Sequence, residues 1–247
     1  MPLKFLIVVL TALLVLACGS GLTKGPPAYF EKRESAASGL HYFLYLPPDY
    51  PAKPRQIWPM ILFLHGADER GFNLEMVRRA GGLPSQLTDG LVLPFIVVMP
   101  QCPFRKNFSD PDMVEKLAAL VEELKSTIRI DPARTTLTGF SLGGNGAWSL
   151  AVAKPGLFTR LAPVGSIGLA DFSAIPRIVA LPIWIFQGEQ DKVFPPDRVK
   201  QSWEALQAAG SPAKLTIWPG ADHGTSAEKT YSFPDFYAWA AEPATTK

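Results

Sequence analysis

The chain has 247 residues, 47% of them apolar and 19% charged, with 24 Lys+Arg against 22 Asp+Glu. This supplies the core of one large domain or two small ones and excludes a disordered or low-complexity chain. A formal charge of +2, with no basic cluster beyond Arg78-Arg79, makes no case for nucleic acid, and three dispersed His and two distant Cys leave little material for a metal site.

Lys4 precedes a charge-free run from Phe5 to Ala17. Thirteen helical residues reach roughly 20 Å, short of a bilayer core of about 30 Å, so the run suits a signal peptide better than a spanning helix. It ends in Val15-Leu16-Ala17-Cys18, which resembles the bacterial lipobox, where the Cys is lipidated and becomes the new amino terminus. The alternatives are an ordinary signal cleaved nearby or an uncleaved anchor. The expected organisation is a signal peptide over 1–17, a lipidated amino terminus and tether over 18–35, and one folded domain over 36–247. Membrane contact is then through the lipid on Cys18 alone. Gly19, rather than Asp, points to export towards the outer membrane or periplasm. With Cys18 lipidated, Cys102 has no partner and is expected as a small buried thiol.

Beyond the tether, short apolar runs alternate with helical patterns. Strands are expected at Tyr42–Leu46, Trp58–Leu64, Leu91–Met99, Thr135–Thr138, Leu161–Val164, Pro182–Phe186 and Lys214–Trp218. Runs apolar on both faces suit buried parallel strands. Met113, Val114, Leu117, Leu120, Val121, Leu124 and Ile128 recur at three- and four-residue spacing and predict a helix over Asp112–Ile128. Asp197–Ala209 and Asp235–Ala241 read as two more. The alternation predicts an α/β fold: a doubly wound, mostly parallel sheet flanked by helices, with no gap long enough for a large cap domain.

One motif carries chemistry. Gly139-Phe140-Ser141-Leu142-Gly143 follows the strand Thr135–Thr138 and opens a small-residue helix at Gly144-Asn145-Gly146-Ala147-Trp148. A serine at the apex of a sharp strand-to-helix turn needs small neighbours, and the helix amino terminus beneath it favours developing negative charge.

This turn, together with His65-Gly66-Ala67-Asp68-Glu69-Arg70-Gly71, Pro100-Gln101-Cys102-Pro103 and Asp131-Pro132-Ala133-Arg134, resembles the α/β-hydrolase superfamily over roughly Tyr42 to Trp239. Within it the residues look like bacterial secreted esterases of the dienelactone-hydrolase and polyhydroxybutyrate-depolymerase type, or phospholipase/carboxylesterase-type domains. Ser141 stands where dienelactone hydrolases proper carry Cys, and Asn145 stands where many relatives carry Tyr. In the superfamily the acid and then the His follow the nucleophile. Only His223 follows Ser141, in the loop Ala221-Asp222-His223-Gly224. Asp191, in Gly188-Glu189-Gln190-Asp191-Lys192-Val193, is the favoured acid and Glu189 its rival; Asp222 is too near His223 in sequence to reach its ring. The oxyanion donors are expected to be the backbone N–H groups of Leu142 and Ala67, with His65 holding the latter's loop.

The resemblance implies a serine esterase that works through an acyl-enzyme and needs neither metal nor organic cofactor. Its substrate would be a small-molecule or polysaccharide-borne ester, for instance an acyl or feruloyl group on carbohydrate. Two other readings stay open: a serine peptidase of prolyl-oligopeptidase type, and a non-catalytic binding lipoprotein with a hydrolase fold. Trp148, Trp184, Phe194 and Trp218 are candidates for either a substrate cleft or the core.

Overall fold

The computed structural model describes residues 22–25 and 30–244. Cys18 and the expected signal peptide lie outside the described residues. Among those described, no helix is long and apolar enough to cross a membrane.

Among the described residues eight strands form one sheet: β1 (Phe30–Glu34), β2 (His41–Tyr45), β3 (Trp58–Leu64), β4 (Ile96–Pro100), β5 (Ile130–Phe140), β6 (Arg160–Val164), β7 (Trp184–Gly188) and β8 (Lys214–Trp218). Their spatial order is β1-β2-β4-β3-β5-β6-β7-β8. β1 and β2 run antiparallel to their neighbours, and β4, β3, β5, β6, β7 and β8 are parallel.

The β3 sequence Trp-Pro-Met-Ile-Leu-Phe-Leu shows why the runs are apolar throughout. Met60, Leu62 and Leu64 enter one core layer, whereas Ile61 and Phe63 enter the other. Alternate side chains of a strand point to opposite faces, so a strand covered on both sides must be apolar at every position. The first layer is covered by α3 (Pro111–Thr127), α4 (Leu142–Ala153) and α5 (Pro196–Ala208). The second is covered by α1 (Glu75–Arg78), α2 (Leu83–Thr88), α6 (His223–Tyr231) and α7 (Pro234–Ala241).

Helix α3 matches its periodicity. Pro111 opens it, Asp112 sits in its first turn and Lys125 in its last, which complements the helix dipole. Met113, Val114, Leu117, Leu120, Val121 and Leu124 are buried on the sheet, each removing side-chain area from water worth roughly 1.5–3 kcal/mol when complete.

Three expectations need correction. The sheet begins at Phe30, ahead of the expected domain start at residue 36, because Phe30 packs on Phe43 and Tyr45 while Glu31 to Glu34 pair along β2. The apolar run from Leu91 becomes strand only at Ile96; Leu91 and Leu93 are buried in the second layer without entering the sheet. His223 is the first residue of α6, not a loop residue, since the Asp222 side chain accepts from Thr225 N–H and the Thr225 hydroxyl accepts from Asp222 N–H.

Candidate active site

Parallel strands bring their carboxyl ends to one edge of the sheet, and Ser141 stands there between β5 and α4. Its backbone lies at φ 56°, ψ −116°, a region that non-glycine residues rarely occupy. Two neighbours permit it. A Cβ on Gly143 would fall inside the Leu64 carbonyl, and one on Gly139 would meet the backbone of Gly143. Ser141 N–H donates to Val164 O, and Asn145 N–H donates to Ser141 O, which closes the first turn of α4.

The loop after β7 and the first residue of α6 supply the other two groups. His223 Nε2 lies 2.9 Å from Ser141 Oγ, and His223 Nδ1 lies 2.7 Å from Asp191 Oδ2. The Asp191 side chain is fully buried, and His223 keeps 20% of its side chain exposed. Both Asp191 oxygens are engaged. Oδ1 accepts from Val193 N–H and Phe194 N–H, each at 2.9 Å, and Oδ2 accepts from Gln187 Nε2 at 2.8 Å besides His223. Four donors leave both Asp191 oxygens acting as acceptors. Nδ1 of His223 then carries the proton, and Nε2 presents its lone pair to the Ser141 hydroxyl. Phe140 and Phe194 pack on the imidazole with ring centroids 4.7 and 5.6 Å away, which fixes its plane. Ser226 Oγ donates to His223 O from below.

The rival acids face elsewhere. Glu189 is exposed and accepts from Gly220 N–H, and Asp222 caps α6.

The loop after β3 is tied down at nearly every peptide. His65 is fully buried; its Nε2 accepts from Cys102 N–H at 2.9 Å, so the proton sits on Nδ1, which donates to Gly66 O at 2.7 Å. Burial holds its pKa down at about 4. In a trans peptide the N–H points opposite to the C=O. By anchoring the Gly66 carbonyl, His65 aims the Ala67 N–H the other way. Arg70 Nε donates to Ala67 O and its guanidinium reaches Lys106 O, while Gln101 Nε2 bridges Glu69 O and Asn73 O at 2.9 Å each. Leu142 is the first residue of α4, where helical N–H groups have no partner within the helix. Among the described residues neither Leu142 N–H nor Ala67 N–H has a hydrogen-bond partner.

Cys102 is a buried free thiol whose pKa burial pushes up to about 12. Of the four candidate cleft aromatics, Trp148, Trp184 and Trp218 pack in the core layers, and Phe194 is the one that reaches the site. Asn145 is a tether: its Oδ1 accepts from Ile167 N–H at 2.9 Å and holds the loop after β6 beside Ser141. Gln187 escapes a reading by motif; its signal is one polar residue inside the otherwise apolar β7 run Trp184-Ile185-Phe186.

Comparison with known proteins bears on the family and the fold. The model of the dienelactone hydrolase family matches residues 103–245. A Methylorubrum extorquens protein provisionally named a carboxymethylenebutenolidase is 30% identical over 143 residues, covering 55% of this chain and 47% of that one. The chain spans about half the length of the curated relatives it matches. Among solved structures, a thermostable esterase superimposes with a TM-score of 0.74 at 26% identity, over 88% of this chain and 63% of the other. A feruloyl esterase module from Clostridium thermocellum superimposes at 0.66 over 92% and 97%; at 15% identity this is a likeness of fold alone.

Proposed function

The chain belongs to the dienelactone hydrolase family of α/β-hydrolases, and from that premise we propose that it is a serine hydrolase of carboxylic esters, with Ser141, His223 and Asp191 as its triad. The observation that carries the reading is the unbroken chain Ser141 Oγ, His223 Nε2, His223 Nδ1, Asp191 Oδ2, at 2.9 and 2.7 Å.

The mechanism follows from these atoms. Ser141 Oγ attacks the ester carbonyl carbon as its proton passes to His223 Nε2. The carbonyl oxygen becomes an oxyanion, held by the N–H groups of Leu142 and Ala67 and by the positive end of the α4 dipole. Asp191 stabilises the imidazolium. His223 returns the proton to the alcohol oxygen as the bond to it breaks, leaving an acyl-Ser141. Water then attacks the acyl carbon with His223 again as base and releases the acid. The nucleophile is an oxygen, which suits ordinary carboxylic esters.

The surroundings support an ester with bulky apolar parts. Of the seven large hydrophobic side chains exposed among the described residues, four stand on loops that follow the carboxyl ends of strands: Phe72 after β3, Phe104 after β4, Ile167 after β6 and Val193 after β7. These loops lie at the carboxyl edge of the sheet, where Ser141 stands, and among the described residues no large cap covers it. An open, apolar-rimmed site accepts an acyl or hydroxycinnamoyl ester carried on a large alcohol such as a polysaccharide.

The test is an assay of the chain from Gly19 onward beside Ser141→Ala, on chromogenic esters of rising acyl length, methyl ferulate, acetylated xylan and a peptidyl amide. The expected result is ester turnover that falls by about 10³-fold or more in the variant. Turnover that survives Ser141→Ala, or a preference for the amide, overturns the esterase reading. We also propose that Cys18 is lipidated and holds the enzyme on the bacterial envelope. Mass spectrometry of the mature amino terminus should find an acylated Cys18, and an unmodified terminus would refute it.

A further inference from the structure

We infer that Gln187 is a positioning residue for the Asp191–His223 pair, a role that rests on the triad reading above. Gln187 lies at the carboxyl end of β7 and is fully buried. Its Nε2 makes two donations, to Asp191 Oδ2 at 2.8 Å and to Phe194 O at 2.6 Å. The first goes to the same oxygen that accepts His223 Nδ1–H. The second closes the loop 188–194 and holds Phe194, whose ring packs edge-on to the imidazole. One side-chain amide therefore sets both the carboxylate under the His and part of the wall beside it.

The other end of the amide shows that this orientation is not incidental. Gln187 Oε1 is buried with no hydrogen-bond partner among the described residues. Turning the amide over would set Oε1 against two acceptors, Asp191 Oδ2 and Phe194 O, and is repulsive. The fold leaves one acceptor unpaired so that one N–H meets Asp191 and the other Phe194 O, and such an orphan in a well-packed interior calls for a functional explanation. Gln187 gives Oδ2 a second donor without adding charge. It holds the carboxylate against His223 Nδ1 and tempers the pull of Asp191 on the His223 proton.

The experiment compares Gln187→Met and Gln187→Glu with the parent by kcat, KM, the pH profile of kcat/KM and thermal midpoint, with Ser141→Ala as control. Gln187→Met keeps the volume and removes both donors. It should lower kcat about 10- to 100-fold with KM within about two-fold, and move the acid limb of kcat/KM to higher pH, because an untempered carboxylate favours the imidazolium. Its thermal midpoint should stay close to the parent's, since the unpaired oxygen is lost too. Gln187→Glu restores a donor to Asp191 only while protonated. Its activity, as a fraction of the parent's at each pH, should fall as pH rises. A Gln187→Met enzyme with parental kcat and acid limb overturns the inference. So does an equal loss in both variants at every pH that tracks a lowered thermal midpoint, because that marks a packing role. If Ser141→Ala retains parental turnover, the triad reading itself is wrong. If Ser141→Ala is inactive and Gln187→Met behaves as the parent, only the role of Gln187 is.

Discussion

At the scale of single residues, the candidate site depends on which nitrogen of each histidine holds the proton. His223 and His65 are both fixed on the Nδ1–H tautomer, one by a carboxylate and one by a peptide carbonyl, and in the proposed reaction they serve opposite ends of the site. Replacing Asp191 with Asn offers an N–H where Nδ1–H must donate and favours the wrong tautomer. We expect kcat to fall by about 10⁴-fold with little loss of fold, measured as turnover beside far-UV circular dichroism. His65 links the site to pH. Its pKa lies at about 4 in the folded chain against an ordinary 6.5, so the unfolded chain binds the extra proton first. This contribution to stability is complete above pH 6.5 and is lost as pH falls towards 4, where the loss amounts to roughly 3 kcal/mol. Denaturant unfolding between pH 7 and 4 should show that slope, and a His65→Gln variant should flatten it. A slope unchanged by the substitution would refute this assignment.

At the scale of elements, the turn between β5 and α4 illustrates local encoding. The strained φ of Ser141 survives because Gly143 allows the helix to press against the Leu64 carbonyl at the end of β3. Gly143→Ala puts a methyl group where that carbonyl sits. It should cost about 3 kcal/mol or more in stability, read from a denaturant midpoint, and displace the Leu142 N–H enough to remove most activity in any molecules that still fold. The beginning of α6 works in the opposite way. A capping box from Asp222 and Thr225 starts the helix at His223, so the imidazole is carried on a rigid element and not on a loop. The Asp-His-Gly-Thr sequence does contain a helix-start signal, but the nearby glycines Gly220 and Gly224 read more strongly as a turn.

At the scale of the whole molecule, two covered faces and one open edge divide the work. The faces are closed by seven helices among the described residues, and the carboxyl edge of the sheet carries Ser141, the loop after β3 and exposed apolar side chains. The loops of β3 and β4 are linked through Gly71 N–H to Cys102 O and Arg70 to Lys106 O, which sets Phe72 and Phe104 on the same lip. A Phe72→Ser, Phe104→Ser double variant should raise KM for long-chain or cinnamoyl esters by about ten-fold and leave acetyl esters nearly unchanged, since only large acyl groups bury area there. Equal effects on both ester classes would place the binding surface elsewhere.

Features whose causes are contiguous along the chain are legible in the amino-acid order alone. Continuous apolar runs announced buried parallel strands, three- and four-residue spacing announced α3, and Gly139 to Gly143 announced a turn that only small neighbours allow. Chain order together with the family resemblance singled out Asp191 and His223, and the tertiary structure then brought them to 2.7 Å although they are 32 residues apart. The partners of Gln187, the tautomer of His65, the packing of three tryptophans in the core layers and the aromatic contacts of His223 depend on the assembled fold. The physical reason is the same for each. A buried polar group is defined by the partners that desolvation forces on it, and those partners come from other strands and loops. Periodicity and turn chemistry act within a few residues, whereas hydrogen-bond satisfaction and side-chain packing are settled only when the sheet assembles.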